Sequence, residues 1–169
     1  MDTRDVANGI VFTRLNLSID TFENRLIAQK KIYLLQGLGT DLGYSYNWYI
    51  RGPYSPALSK YICSNYEMLS DADYSKFSLV GNTETNIKTV NKIKNCNMYG
   101  MGTGDWYELL ASILYLYHNY ESFGIKKLCK DTLIEKIGIL KPTYSRDECS
   151  HGIRILSEYG FFRGESIDN

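Results

Sequence analysis

Proline is scarce in this chain, which has three prolines among 169 residues but fifteen tyrosines. So few helix breakers favour a mainly helical protein, and tyrosine rings are common both in protein interiors and at interfaces. Cysteine is also sparse. The cysteines have neither the density of a disulfide scaffold nor the paired spacing of metal ligands, and we expect reduced thiols at Cys63, Cys96, Cys129 and Cys149.

Neither sign of charge is in excess, because 19 Lys and Arg side chains balance 19 Asp and Glu side chains. The whole molecule therefore has no net attraction for phosphate, and contact with nucleic acid would require a local basic patch. The sequence also lacks any apolar run of about 18 residues, and its first residues lead into no apolar signal segment. We therefore predict a cytoplasmic protein without a membrane partner.

The most distinctive segment joins a strand-like run to a helix through two prolines. Larger apolar residues alternate with smaller or polar ones over Tyr44–Ile50, which predicts a short, half-buried strand. Gly52 and Pro53 predict a sharp break after it, because glycine adopts backbone conformations closed to other residues and proline lacks an N–H. Ser55 is a good N-cap, and Pro56 fits the first position of the helix that follows.

Apolar residues recur at helical spacing along most of the chain. They predict helices over about 4–16, 22–38, 56–69, 83–95, 105–120 and 146–159, with one or two more between 125 and 140. The helix from residue 22 is apolar nearly all round, so it should be central to the core. Capping boxes are predicted at Asp20 with Glu23, Asp105 with Glu108, and Ser145 with Glu148.

The last part of the chain predicts a helix, a turn, a helix ended by Gly160, and a short strand at Phe161–Arg163. This order is winged-helix-like. The predicted fold class is therefore mainly α with a minor β component. We expect a single helical domain over residues 1–169, with halves 1–81 and 105–169 joined by 82–104.

Several stretches of the first half form a pattern between Phe22 and Leu69, under a third of the chain. They are Phe22-Glu23-Asn24-Arg25-Leu26, Gln29-Lys30-Lys31-Ile32-Tyr33-Leu34-Leu35-Gln36, Gly52-Pro53-Tyr54-Ser55-Pro56 and Leu58. This pattern resembles the YwgA-like proteins and the related Panacea antitoxin domain, the group that includes the SocA-type antitoxin and proteolysis adaptor. The resemblance implies a small helical domain, often encoded on mobile or defence-related elements, that binds a protein such as a toxin and has no catalytic role. Arg51 departs from the pattern, because an aromatic residue is expected before Gly-Pro.

The turn between the predicted strand and helix is the leading candidate for a protein-binding site. Its backbone roles alone explain the glycine, the prolines and the serine. In addition, tyrosine offers contact area at low entropic cost and arginine offers a planar donor that suits an acidic partner. The candidate partner-binding residues are Tyr49, Arg51, Gly52, Pro53, Tyr54, Ser55 and Pro56.

A winged-helix-like DNA-binding regulator, acting as a homodimer on a palindrome, is the alternative hypothesis. Its candidate nucleic-acid residues are Lys88, Lys92, Lys94, Arg146 and Arg154. The first three form a run without an acidic residue, whereas acidic residues in the last predicted helix oppose the two arginines there.

Catalytic, metal and cofactor sites are not predicted. Gly100, Gly102 and Gly104 precede a helix, but their spacing does not fit a dinucleotide or phosphate loop, and they favour a hinge. His151 and Cys149 stand two residues apart on a helix and so point to different faces, which argues against a shared metal. A small hydrolase or nucleotide-binding enzyme remains as a third hypothesis, with Gly104 and Cys149 as its best candidates.

Overall fold

Seven α-helices and one small antiparallel sheet form the part of the chain that the structure, a computed structural model, describes: residues 3–71, 73–164 and 167. In chain order the elements are α1 (Thr3–Arg14), α2 (Phe22–Gly37), β1 (Asn47–Tyr49), β2 (Gly52–Tyr54), α3 (Pro56–Asp71), α4 (Thr83–Lys92), α5 (Thr103–His118), α6 (Lys130–Leu140) and α7 (Arg146–Glu158). Short 3₁₀ turns follow α4 and α5, at Ile93–Cys96 and Tyr120–Phe123. The predicted fold class, mainly α with a minor β component, is confirmed.

Helix α5 lies at the centre of the structure because it is apolar on nearly every side. Trp106 and Tyr107 are fully buried, and each satisfies its polar atom with a backbone carbonyl, at 2.9 and 2.8 Å respectively. Helix α2 packs along α5, so the two predicted halves of the chain share one hydrophobic core. Neither α5 nor any other described helix is long and apolar enough to cross a membrane.

The predicted strand over Tyr44–Ile50 is wrong in extent, because the chain here forms a β-hairpin. Strand β1 pairs antiparallel with β2, and Ile50 and Arg51 form the turn between them. The predicted break therefore falls inside the second strand. Tyr44 lies outside the sheet because the Gln36 side chain satisfies both its N–H and its C=O, at 3.0 and 2.8 Å.

Two of the three predicted capping boxes are wrong. Helix α2 is capped by the Thr21 hydroxyl, one residue after Asp20, because both residue types can accept the bond and only the backbone path selects between them. Helix α5 begins at Thr103, which places Glu108 well inside the helix and gives it a different role. The capping box at Ser145 is confirmed by two reciprocal hydrogen bonds, of 3.1 and 2.7 Å.

The predicted strand at Phe161–Arg163 is also wrong. Gly160, with a φ of +77°, ends α7, and the next N–H donates back to Leu156 O at 2.9 Å. Phe161 is then buried in the core, so packing decides the path of this segment. Helices α6 and α7 pack on each other and are joined by residues 141–145, but no strand pair of a wing follows α7 within the described residues.

Candidate protein-binding site at the β-hairpin

The hairpin is pressed against α5 at Gly52, the residue that follows the turn. Gly52 has a φ of +78°, and a Cβ at this position would overlap Ser112 Oγ on α5. Only glycine satisfies both demands at once, because it lacks a side chain and tolerates positive φ. The glycine thus fixes how closely the hairpin approaches the central helix.

Two neighbouring polar residues of α2 hold the second strand and the residue that follows it. Gln29 receives the Ser55 N–H at 3.0 Å and donates to the Ser55 carbonyl at 2.9 Å. The Lys30 ammonium donates to the Pro53 carbonyl at 2.6 Å, although its side chain is only 1% exposed. Buried polar groups are found where their hydrogen bonds are satisfied, so these side chains act as fixed anchors for the hairpin backbone.

A partly buried ion cluster holds the turn itself. Glu108 accepts a hydrogen bond from the Lys141 ammonium at 2.6 Å, and its other oxygen accepts one from Arg51 Nε. Lys141 also donates to the Ile50 carbonyl at 2.9 Å, and Arg51 Nη2 reaches Asp105 at 3.1 Å. The turn is therefore tied to α5 and to the segment after α6 by charge-assisted bonds.

The electrostatics of the anchor sites are dominated by burial. Burial lowers the pKa of the Lys30 ammonium to about 7; Glu108 acts in the opposite direction, and the charges of Lys141 and Arg51 lower it further. The pKa of the Arg51 guanidinium is raised, chiefly by its hydrogen bond to Glu108. Glu108 is thus shared by Arg51 and Lys141, with Asp105 as a second carboxylate for Arg51, and Lys30 lies beside them without a carboxylate of its own among the described ion pairs.

The tip of this fixed hairpin carries exposed apolar side chains. Ile50 is 94% exposed, and Tyr49 beside it is 45% exposed. The ring of Tyr49 meets that of Tyr54 edge to face, with 5.2 Å between centroids, so the two rings orient each other. Phe22, at the start of α2, is also largely exposed. Together these side chains form an exposed apolar surface beside α2.

A cleft of about 400 Å³ lies between this tip and α2, and we call it the α2–hairpin cleft. Its α2 wall is a single helical face, because the lining residues follow the i, i+3, i+4, i+7, i+8 spacing. These residues are Phe22, Arg25, Leu26, Gln29 and Lys30. The hairpin supplies the opposite wall, with Tyr49, Ile50 and Tyr54. The exposed tip and the cleft are thus one continuous surface.

The predicted partner-binding residues divide into two groups. Tyr49, Arg51, Tyr54 and Pro56 keep exposed surface, whereas Gly52, Pro53 and Ser55 lie buried. The buried residues therefore act through the hairpin backbone, because their side chains are not available to a partner in this structure. The guanidinium of Arg51, which the sequence offers to an acidic partner, is engaged within the protein by Glu108 and Asp105.

The candidate nucleic-acid residues do not form one unopposed basic face. Lys88, Lys92 and Lys94 are exposed, and Lys92 Nζ lies 5.7 Å from the ring centroid of Tyr159 at the end of α7. On α7, Arg146 pairs with Asp131 at 3.0 Å, and Arg154 pairs with Glu158 at 2.8 Å. These carboxylates reduce the positive potential of the helix that would enter a DNA groove.

The residues weighed for other chemistry have structural roles. Gly104 is buried where a Cβ would meet the Glu23 carboxylate, which would also oppose an anion in this loop. His151 stacks on Trp106, with ring centroids 5.5 Å apart, and its Nε2 contacts the Cys96 carbonyl at 2.6 Å. Burial raises the pKa of the Cys149 thiol to about 11, which opposes a nucleophilic role. Within the described ranges no three His, Cys, Asp or Glu side chains are grouped to hold a metal ion.

Sequence reasoning missed the buried anchors beneath the hairpin, Gln29, Lys30, Glu108 and Lys141. A signal for three of them was present, because they interrupt runs that are otherwise apolar at helical spacing in α2 and α5. Charged residues are rarely buried unless paired, so such an interruption indicates a buried polar contact.

Comparison of this chain with family models, with curated proteins and with solved structures finds no match in any of the three.

Proposed function

We propose that this protein is a non-enzymatic protein-interaction module of the antitoxin or proteolysis-adaptor type, which binds its partner through the hairpin tip. The observation that carries the proposal is the nearly complete exposure of Ile50 on a hairpin whose backbone is fixed from below. A large apolar side chain next to other exposed apolar groups is a feature of interaction sites. The resemblance to antitoxin domains supports the same class of function.

Rigidity of the tip is the second support for this proposal. Lys141 and Lys30 each bond a hairpin carbonyl, and Gln29 bonds the carbonyl of Ser55 directly after β2, so the tip is held before any partner arrives. A preorganised surface loses little conformational entropy on binding, which leaves more of the contact energy as affinity. The polar groups of Glu108 and Lys141 are already hydrogen-bonded in holding the hairpin. This supports a binding role for the site over a catalytic one.

The test is capture of a partner from the native host by the tagged full chain, with nuclease present. Ile50→Ser removes the exposed apolar side chain without disturbing the core. Val80→Ser is the matched control, because Val80 is 91% exposed in the segment between α3 and α4. We expect the wild type and V80S to retain the same stoichiometric protein, identified by mass spectrometry, and I50S to lose it.

The captured protein is then produced alone and together with this chain. An antitoxin-type role predicts that the partner by itself slows growth of the host and that co-production of the wild type, but not of I50S, restores it. An adaptor-type role predicts that the partner is degraded faster in the presence of the wild type. Equal capture by I50S and the wild type would contradict the proposed binding surface.

The DNA-binding regulator remains the alternative, and the same preparation tests it without nuclease. Specific DNA binding depends strongly on salt, so fragments bound at low salt should be released as salt rises. Recovery of DNA with no protein partner, together with loss of that DNA in Lys88→Glu, would replace the interaction module with the regulator.

A further inference from the structure

Both walls of the α2–hairpin cleft carry apolar and aromatic side chains, and the charged residues among its described lining residues are all basic. Phe22 and Leu26 on α2 face Tyr49 and Tyr54 on the hairpin, so both sides offer apolar and aromatic surface. Three cations reach the same cleft, Arg25, Lys30 and Arg51, and no Asp or Glu occurs among its described lining residues.

Arg25 is the cation of this cleft that its own contacts leave unneutralised. It is exposed, its Nη1 donates to the neutral Ile19 carbonyl at 3.0 Å, and it takes part in no ion pair among the described residues. Arg51 has two carboxylate partners, and Lys30 is buried with its pKa lowered to about 7, so neither offers a full free charge to a ligand. The cleft therefore retains positive potential that an anionic group on a ligand would satisfy.

We infer that the α2–hairpin cleft binds a short segment of a partner protein in which an aromatic or branched aliphatic side chain stands close to an Asp or Glu. The inference rests on the proposed function and names the chemistry of the bound segment. The apolar side chain packs between Phe22 and Tyr49, and the carboxylate lies toward Arg25. A cleft of about 400 Å³ has room for one or two side chains, which suits a short segment.

The test is selection of short linear peptides from a random phage-displayed library on the full chain, followed by fluorescence anisotropy with the enriched peptides. We expect enrichment of Asp or Glu next to Phe, Trp, Leu or Ile. Replacement of that acid by its amide in a synthetic peptide should weaken binding about tenfold, the loss of one charge-assisted contact. Enrichment of basic or uncharged peptides would overturn the inference.

Charge reversal in the protein provides the matched comparison. Arg25→Glu should weaken binding of the acidic peptide by more than about tenfold, because it replaces attraction by repulsion at the same site. Lys88→Glu changes the net charge by the same amount at an exposed position of α4, outside the residues that line the cleft, and should leave the affinity unchanged. Equal weakening by R25E and K88E would show that the attraction is not local to the cleft and would overturn the inference.

Failure of this inference and failure of the proposed function give different results. If host capture depends on Ile50 but the enriched peptides lack acids, the interaction module stands and the acidic segment is rejected. If acidic, apolar peptides bind at wild-type strength to I50S and weakly to R25E, the cleft chemistry stands while the tip is rejected as its contact. A dimer of the full chain in sedimentation that R25E disrupts, with no peptide enriched, would overturn the inference in favour of a second copy on this surface.

Discussion

Lys30 carries an ammonium group in a place where charge is unfavourable. Its pKa is lowered from 10.5 to about 7, chiefly by burial, so between these values the unfolded chain binds a proton that the folded chain does not. Stability contributed through Lys30 therefore rises with pH across this window and is constant below pH 7, where both states are protonated. The residue holds Pro53 in place at an energetic cost that is largest at neutral and acidic pH.

Replacement of this lysine by methionine should remove that pH dependence. Between pH 8 and 10 we expect the stability of the wild type relative to Lys30→Met to increase by about 1.4 kcal/mol per pH unit. Lys31, whose pKa burial lowers to about 8, titrates in both proteins and cancels in the difference. Urea unfolding at a series of pH values measures the slope, and parallel profiles for the two proteins would show that Lys30 does not lose its proton on folding.

At the scale of the element, the position of the hairpin depends on one close approach to α5. Gly52→Ala should destabilise the fold by about 2–4 kcal/mol, because the new methyl group meets Ser112 and also requires a strained positive φ. Gly124→Ala is the control, since Gly124 has a φ of +75° and no atom lies within 4 Å of the position that its added methyl carbon would take. It should cost about 1 kcal/mol, the backbone term alone.

Thermal and denaturant unfolding of both alanine variants gives the two free energies. A Gly52→Ala variant no less stable than Gly124→Ala would mean that the hairpin shifts away from α5 without loss. That result would contradict the conclusion that the hairpin tip is fixed and that the binding surface is preorganised.

The hairpin also shows how far sequence reasoning reaches at this scale. The alternation up to Ile50 and the helix start at Ser55 and Pro56 are local properties, and they predicted a strand and a helix correctly in kind. The pairing of Gly52 and Pro53 with β1 is supported by contacts that are not local, because Lys30 and Lys141, which bond the Pro53 and Ile50 carbonyls, lie far away in the sequence. The exposed side of the site was therefore predicted in part, and its buried support was not.

At the scale of the whole molecule, the helices were predictable because their signal is strong and local. The apolar run of α5 and the reciprocal cap of α7 appear directly in the sequence, and both elements form as predicted apart from their ends. The sequence predicted a strand at Phe161–Arg163, whereas the segment is a coil. Its conformation could not be predicted because it depends on burial of Phe161 in a core built by distant helices. Tertiary packing there overrides a β-prone aromatic sequence.

The shared core of α2 and α5 predicts that the chain unfolds as one unit, and its two tryptophans lie in the right places to test this. Trp48 lies in the hairpin, and Trp106 is fully buried in α5. We expect Trp48→Phe and Trp106→Phe, each with one remaining tryptophan, to show fluorescence transitions that coincide with loss of helical circular dichroism in the same variant. The comparison is made within each variant, since Trp106→Phe also removes the bond to the Ile93 carbonyl and lowers stability by about 1–3 kcal/mol. A transition of Trp48 at lower denaturant than the helical signal would mean that the hairpin opens before the core, so that the tip is not held rigidly when a partner arrives.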